Sequence, residues 1–198
     1  MDSIRDMVPA DLQQVTGLYA DHMYDSFYAQ LGSGFIRTLL GGILHDRRQI
    51  SLVVEVEGGI AGFIMVSRHA ERTTVSLLRR RGPALAWRAA LACLAVPRRV
   101  LLLLETPRYF RAGGSRLDDA EAEMLFIVVD PRCRRRRLAQ RLICEVLARY
   151  RLHGIRRVKV SIVAGNGAVL RLLARLGFSV CGEFSFYGKT MTLLARNL

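Results

Sequence analysis

The stretch that decides the fold reads Val129-Asp130-Pro131-Arg132-Cys133-Arg134-Arg135-Arg136-Arg137-Leu138-Ala139-Gln140-Arg141-Leu142. Upstream, residues 123–129 (EMLFIVV) are apolar and β-rich, which predicts a strand ended by Asp130-Pro131. Downstream, Leu138, Leu142, Ile143, Val146 and Leu147 recur at helical spacing, with Gly154 placed to cap the helix end. An arginine-rich turn thus joins a strand end to a helix start. A helix start offers unpaired backbone N–H groups and about half a positive charge, which makes it an anion site. Successive N–H groups in the turn can add a nest for phosphate oxygens. The four arginines at 134–137 suit a pyrophosphate. The plain alternative is a solvated basic turn.

Beyond this unit, residues 157–163 (RVKVSIV) predict a strand. Asn166 is placed to cap a helix that ends at Leu176-Gly177. Residues 178–184 and 190–196 predict a terminal strand pair around Tyr187-Gly188. The strand–helix–strand unit requires a parallel pair with a right-handed crossover. Towards the N-terminus, a short strand near 4–7 precedes a helix that starts near Pro9 and carries Leu12, Val15, Leu18, Tyr19 and Met23. Ser33 is placed to cap a second helix through Phe35, Leu39, Leu40 and Ile43. Residues 50–57 and 60–66 predict an antiparallel hairpin turning at Gly58-Gly59.

Residues 68–120 interrupt the strand pattern. They predict one helix before Gly82-Pro83 and one on each side of Pro97, then a polar loop at Gly113-Gly114-Ser115. Residues 84–104 are long and apolar enough to test as a membrane span, but they contain Arg88, Arg98 and Arg99. Those arginines cost roughly 8–10 kcal/mol, against about 3–5 returned by leucine and valine. Short helices broken at Pro97 are expected instead.

With 198 residues, 51% of them hydrophobic, the chain has the length of one domain and enough apolar content for a core, which excludes wholesale disorder. The formal charge of +13 points to an anionic partner. Every basic residue except Lys159 and Lys189 is arginine, so a compositional bias explains the total equally well and local clusters carry more weight. No nucleic-acid-binding motif accompanies the charge. Cys93, Cys133, Cys144 and Cys181 and the four histidines are scattered, which predicts no metal site and no disulfide framework. Asp2 and the lack of an early apolar run predict no signal peptide, so a cytoplasmic location is expected.

The sequence resembles the GNAT superfamily of acetyl-CoA-dependent N-acetyltransferases. Val129-Asp130-Pro131 matches the V-x-P strand end, and Arg134, Leu138 and Ala139 match the loop R/Q-x-x-G-x-G/A that opens a helix. Asn166, Gly177 and Phe178 match N-x-x-A-x-x-x-Y-x-x-x-G-F, with Val169 in the Ala position. The resemblance covers most of the chain apart from 68–120. It implies an α/β fold: a mixed, mostly antiparallel twisted sheet with one parallel βαβ pair and helices on both faces. The whole of 1–198 would then be a single N-acetyltransferase domain with a helical insertion at about 68–120.

The resemblance also implies how acetyl-CoA, as co-substrate, would bind. Backbone groups of Ile127, Val128 and Val129 would pair with the pantetheine arm like an added strand. The N–H groups of Arg134, Arg135, Arg136, Arg137, Leu138 and Ala139 would hold the pyrophosphate. Asn166 would sit near the pantetheine, and Arg175 is a candidate for the nucleotide's 3′-phosphate. Arg137 replaces the family's first glycine and is expected to fit with a helical φ. Leu173 stands where many members have a tyrosine acid, and Ser161 where some have a glutamate base.

Acyl transfer to an amine needs a proton acceptor and a donor for the developing oxyanion. Glu121 and Glu123 are the candidate bases, on one face with Leu125 unless a bulge intervenes, and Glu123 is preferred. Tyr187 is the candidate donor to the leaving thiolate. Residues 19–30 line the acceptor groove in the family, which makes Tyr19, His22, Asp25 and Ser26 candidate substrate contacts. The expected activity is acetyl transfer to the primary amine of a small molecule, such as an amino sugar. The alternatives are acetylation of a protein N-terminus or lysine, or a non-catalytic acyl-CoA-binding module. The insertion would roof the acceptor side, touch a membrane surface peripherally, or join a homodimer.

Overall fold

The computed structural model describes residues 2–24, 26–46, 49–68, 70–95, 119–133, 135–186 and 188–198. Among these, the strands are β1 (Ser3–Asp6), β2 (Gln49–Val56), β3 (Gly59–Ser67), β4 (Ala122–Val129), β5 (Arg157–Val163), β6 (Ser179–Phe186) and β7 (Lys189–Asn197). The helices are α1 (Leu12–His22), α2 (Phe27–Gln30), α3 (Ser33–Leu44), α4 (Ala70–Ala95), α5 (Leu138–Leu152) and α6 (Gly167–Arg175). One sheet runs β1-β2-β3-β4-β5-β7-β6. Its pairs are antiparallel except β4–β5, which is parallel as the intervening helix α5 demands.

Each face of the sheet has its own core. On one, Leu138, Leu142, Ile143, Val146, Leu147 and Tyr150 of α5 pack on Leu52, Val54, Ile64, Val66, Met124 and Val160 of the strands. On the other, Val15 and Tyr19 of α1, Ile36 and Leu40 of α3, and Leu77, Leu85 and Ala89 of α4 cover Val53, Phe63, Met65 and Val128. β3 is therefore buried on both sides from Ala61 to Ser67, and its run of apolar residues lacks alternation for that reason. Arg5 ties β1 to its neighbours. It grips Asp11 through Nη1 and Nη2 at 2.7 and 2.9 Å, and Glu55 through Nε at 2.9 Å.

Several local expectations are corrected. The β2–β3 turn is Glu57-Gly58, one residue earlier than expected, with φ of 54° and 83°. Positive φ at both central residues gives the twist that antiparallel strands need, and Val56 then pairs with Gly59. Gly32, with φ 89°, caps α3, and Ser33 is its first helical residue. α4 runs unbroken through Pro83. Both Pro83 and Arg79, whose carbonyl loses its partner, are exposed, so water can take the bond that the proline removes. On the packed side, α3 is thin where α4 meets it: a Cβ on Gly42 would lie 2.2 Å from Leu77 Cδ1. The helix expected before Pro97 is the second half of α4; the break at Pro97, the helix after it and the polar loop at 113–115 lie outside the described residues.

Candidate active site

The site begins where β4 and β5 part. Their parallel pairing joins Ala122, Glu123 and Met124 to Val158, Lys159 and Val160, and it stops there. β5 goes on with β7, pairing Ser161 with Leu193 and Val163 with Met191. β4 goes on with β3 alone among the described strands, through Phe126, Ile127, Val128 and Val129. A bulge marks the parting: Val66 pairs with Met124 but Met65 with Phe126, so Leu125 is the extra residue. It falls beyond Glu123, so it shifts the faces of the residues that follow and leaves Glu123 and Leu125 on one face. Leu125 and Phe126 both pack on the α1–α3 core. The β5-facing edge of β4 beyond Met124 is left as a strip of backbone able to pair with an extended ligand.

Gly62 holds that strip in place. Its missing Cβ would sit 2.9 Å from the Val128 carbonyl and 2.9 Å from Val129 Cγ2, so a side chain there would push β4 away. At the strand end, Asp130 N–H donates to the Ala61 carbonyl at 2.8 Å. The buried Asp130 carboxylate then organises the next turn. It accepts from Arg132 N–H at 2.8 Å, from Arg132 Nε at 3.1 Å and from Arg132 Nη2 at 2.7 Å. Those bonds, with His22 Nε2 3.9 Å away, hold its pKa at about 2.

The turn itself is built by left-handed backbone. Arg135 and Arg137 have φ of 68° and 55° on either side of Arg136, which lies outside that region. Arg137 is thus not helical as expected; it takes the conformation that glycine would adopt there, at a cost of about 1 kcal/mol. Alternation of this kind turns successive N–H groups to one side, which is how a nest forms. Leu138 and Ala139 follow in the first turn of α5, whose N–H groups lack intrahelical partners, and no side chain caps it.

The arginine side chains divide. Arg132 is bound to Asp130. Arg136 lies 3.6 Å from both Asp2 and Glu57, and Arg141 joins it on Asp2. Arg135 and Arg137 are exposed, with no ion pair among the described residues. Arg134 lies outside the described residues.

Glu123 and Lys159 are side by side in register, with Glu123 Oε2 3.6 Å from Lys159 Nζ and both side chains largely buried. Strand alternation turns them, and Ser161, to the sheet face of α1 and α3, since Met124, Val158 and Val160 face α5. Glu121 is committed elsewhere: its carboxylate accepts from Arg156 N–H at 2.7 Å. Leu173 is 1% exposed and sits in the α5-side core. Asn166 caps α6, accepting from Val169 N–H at 3.3 Å, and Arg175 is exposed in the last turn of that helix. Tyr187 lies outside the described residues.

Above this face lie the expected acceptor residues. Tyr19 is buried, with its hydroxyl 3.1 Å from Ser26 Oγ. Ser26 also caps α2 by accepting from Ala29 N–H at 3.2 Å. The Phe126 ring meets Tyr19 edge-on at 5.5 Å and Tyr28 at 5.9 Å. Tyr19 and Ser26 thus build the wall, while the partly exposed His22 approaches Asp130. Asp25 lies outside the described residues. Sequence reasoning missed Asp130, Phe126 and Lys159. Asp130 was visible as the middle residue of V-x-P, whereas Lys159 and Phe126 needed the register and the bulge.

The sequence model of the Acetyltransferase (GNAT) family matches residues 10–178. No curated protein matches the chain. Among solved structures, the ribosomal-protein-S18-alanine N-acetyltransferase of Escherichia coli is similar in fold, with a TM-score of 0.64 at 14% identity, covering 100% of this chain and 94% of that one. Ard1 of Thermoplasma volcanium has a TM-score of 0.66 at 16% identity, covering 100% and 97%. The PaiA N-acetyltransferase of Thermoplasma acidophilum, solved with coenzyme A, has a TM-score of 0.61 at 12% identity, covering 100% and 99%. At these identities the likeness is one of fold. Together with the parted parallel strands and the turn that follows β4, the family match places this chain in the GNAT family of acetyltransferases.

Proposed function

We propose that this chain transfers the acetyl group of acetyl-CoA to the primary amine of a small molecule, such as an amino sugar, in the cytoplasm. The observation that carries the reading is the pairing of an open β4 edge with a left-handed turn at an uncapped helix start. The edge suits an amide-bearing pantetheine arm, and the turn suits a pyrophosphate. Acetyl-CoA would supply the thioester whose acyl carbon the amine attacks.

The chain's residues supply the rest. Ile127, Val128 and Val129 pair with the arm through their backbone. The N–H groups of Arg134, Arg135, Arg136, Arg137, Leu138 and Ala139 hold the pyrophosphate, and the exposed Arg135 and Arg137 side chains add charge to that end. Asn166 borders the pantetheine and Arg175 reaches the 3′-phosphate. Glu123 takes the amine proton, directly or through water, since only the neutral amine attacks. A backbone N–H near Val129 donates to the thioester oxygen as charge builds there. A thiol of pKa near 8.5 leaves without strong help, so Tyr187 is an assisting donor and the leucine at 173 is tolerated. His22 and the wall of Tyr19 and Ser26, together with Asp25, bound the amine.

Turnover of acetyl-CoA against a panel of amino sugars, other small amines and peptides with free N-termini or lysines tests this. Release of CoA with the small amines and not the peptides is the expected result. Turnover with peptides alone would move the acceptor class, and CoA binding without turnover on any amine would leave a binding module.

A further inference from the structure

The outer face of α4 is apolar where water should meet it. Trp87, Leu91 and Leu94 are 66%, 47% and 80% exposed. Their spacing of four and three residues places them in one stripe. The opposite face of the same helix is already used, with Leu77, Leu85 and Ala89 packed in the α3 core. Among the described residues, the other large exposed hydrophobics, Val8, Tyr24, Leu152, Val163 and Val180, are scattered over other parts of the fold. A stripe on one helix is a different matter from such singles.

Its surroundings are basic. Arg79 and Arg80 are exposed on the turns before the stripe, while the exposed Arg88 lays its guanidinium over Gly34 of α3. The sequence of α4 holds five arginines and, as its one acid, Glu71. Two occupants compete for such a face. A second copy across a two-fold axis would bury the leucines but bring like-charged flanks together. A bilayer with anionic headgroups accepts both parts, as the leucines and the indole sink to the acyl boundary and the guanidinium groups meet phosphates. Tryptophan favours that boundary because it has an apolar body and one polar N–H. Among the described residues, no helix is long and apolar enough to cross a membrane, so α4 would lie in the surface plane.

We propose that the outer face of α4, with Trp87, Leu91 and Leu94 as its apolar anchor and Arg79 and Arg80 as its basic flank, docks this chain on anionic lipid bilayers. The sheet, its site and the covered face of α4 stay on the opposite side of the helix axis. The inference is independent of the acetyl-transfer reading.

Trp87 is the chain's one tryptophan, so its emission reports this face directly. The intact chain is mixed with phosphatidylcholine vesicles containing about one third phosphatidylserine, and with pure phosphatidylcholine vesicles. The expected result is co-sedimentation with the anionic vesicles, at least about tenfold weaker on the neutral ones. Emission should shift to shorter wavelength with loss of acrylamide quenching, and added salt should weaken the effect. Leu91→Gln with Leu94→Gln should cut partitioning at least about tenfold while thermal unfolding stays as in the parent. The proposal falls if the protein ignores anionic vesicles, or if it sediments with them and Trp87 emission does not move. It falls equally if the double variant partitions like the parent. A stable dimer whose Trp87 is already shielded and indifferent to vesicles would assign the face to a second copy.

Discussion

Arg137 carries the clearest tension between sequence and backbone. Its φ of 55° is glycine's conformation on an arginine. Arg137→Gly should relieve about 1 kcal/mol, raising Tm by roughly 2–4 °C in a chain of this size, while CoA affinity falls with the lost charge. A lower Tm in differential scanning would mean that the arginine side chain holds the turn. Asp130 answers to pH. Its pKa of about 2 is lower than the ordinary value of about 3.9, so its stabilisation is complete above that ordinary value. It is lost as pH falls from about 4 towards 2. Because its partner Arg132 is exposed, solvent screening trims the gain to about 1–2 kcal/mol. Acid unfolding of Asp130→Asn should lack that segment of the pH dependence, and an unchanged acid curve would remove the role assigned to the carboxylate. With Glu123 as the proposed base, Glu123→Gln should lower kcat by about 10²–10⁴ across the pH range, and Tyr187→Phe should cost less. Full activity in Glu123→Gln would pass the proton to another base or to water. At 173 the structure changes the meaning of a substitution. Leu173 is core, so a tyrosine there overpacks and costs about 1–3 kcal/mol before any proton donation can be read.

At the scale of elements, the β4–turn–α5 unit was legible because every signal in it is local: an apolar run, an Asp-Pro stop, a helical stripe. β5 falls on 157–163 as expected, and the cap of α6 falls on Asn166. The parts that escaped depend on partners distant in sequence. No pattern within 123–129 announces the bulge at Leu125, because it exists only against the register of β3. The Glu123–Lys159 pair exists only once β4 and β5 align in parallel. Pro83 misled for a related reason: α4 tolerates it because the orphaned carbonyl stays on an exposed residue, and exposure is a tertiary property. Gly62 links these elements to the site. A Cβ at that position meets backbone rather than a flexible side-chain end, so β4 must shift. Gly62→Ala should therefore destabilise by about 1–3 kcal/mol and weaken CoA binding more than a surface variant of equal stability does. Denaturant unfolding beside CoA titration separates the two effects, and unimpaired affinity would show that the strip's position is not needed.

Across the whole molecule, the charge of +13 and the arginine turn act in one direction on an anionic co-substrate. Association with CoA should slow as salt rises, since steering by the summed field is screened within about 8–10 Å at moderate ionic strength. Stopped-flow rates flat in salt would confine the arginines to local roles. The two faces of the sheet also differ: α5, which begins at the turn after β4, covers one, and α1 to α4 cover the other, where Glu123 points. The account stands on the β4 edge and the turn acting together on one ligand. Calorimetric titration of the intact chain with CoA and with pantetheine, which lacks the phosphates, tests this most directly. The account predicts binding of both, with CoA at least about tenfold tighter, the margin falling when Arg135 and Arg137 are both changed to Gln. No CoA binding, or equal affinity for the two ligands, would contradict it.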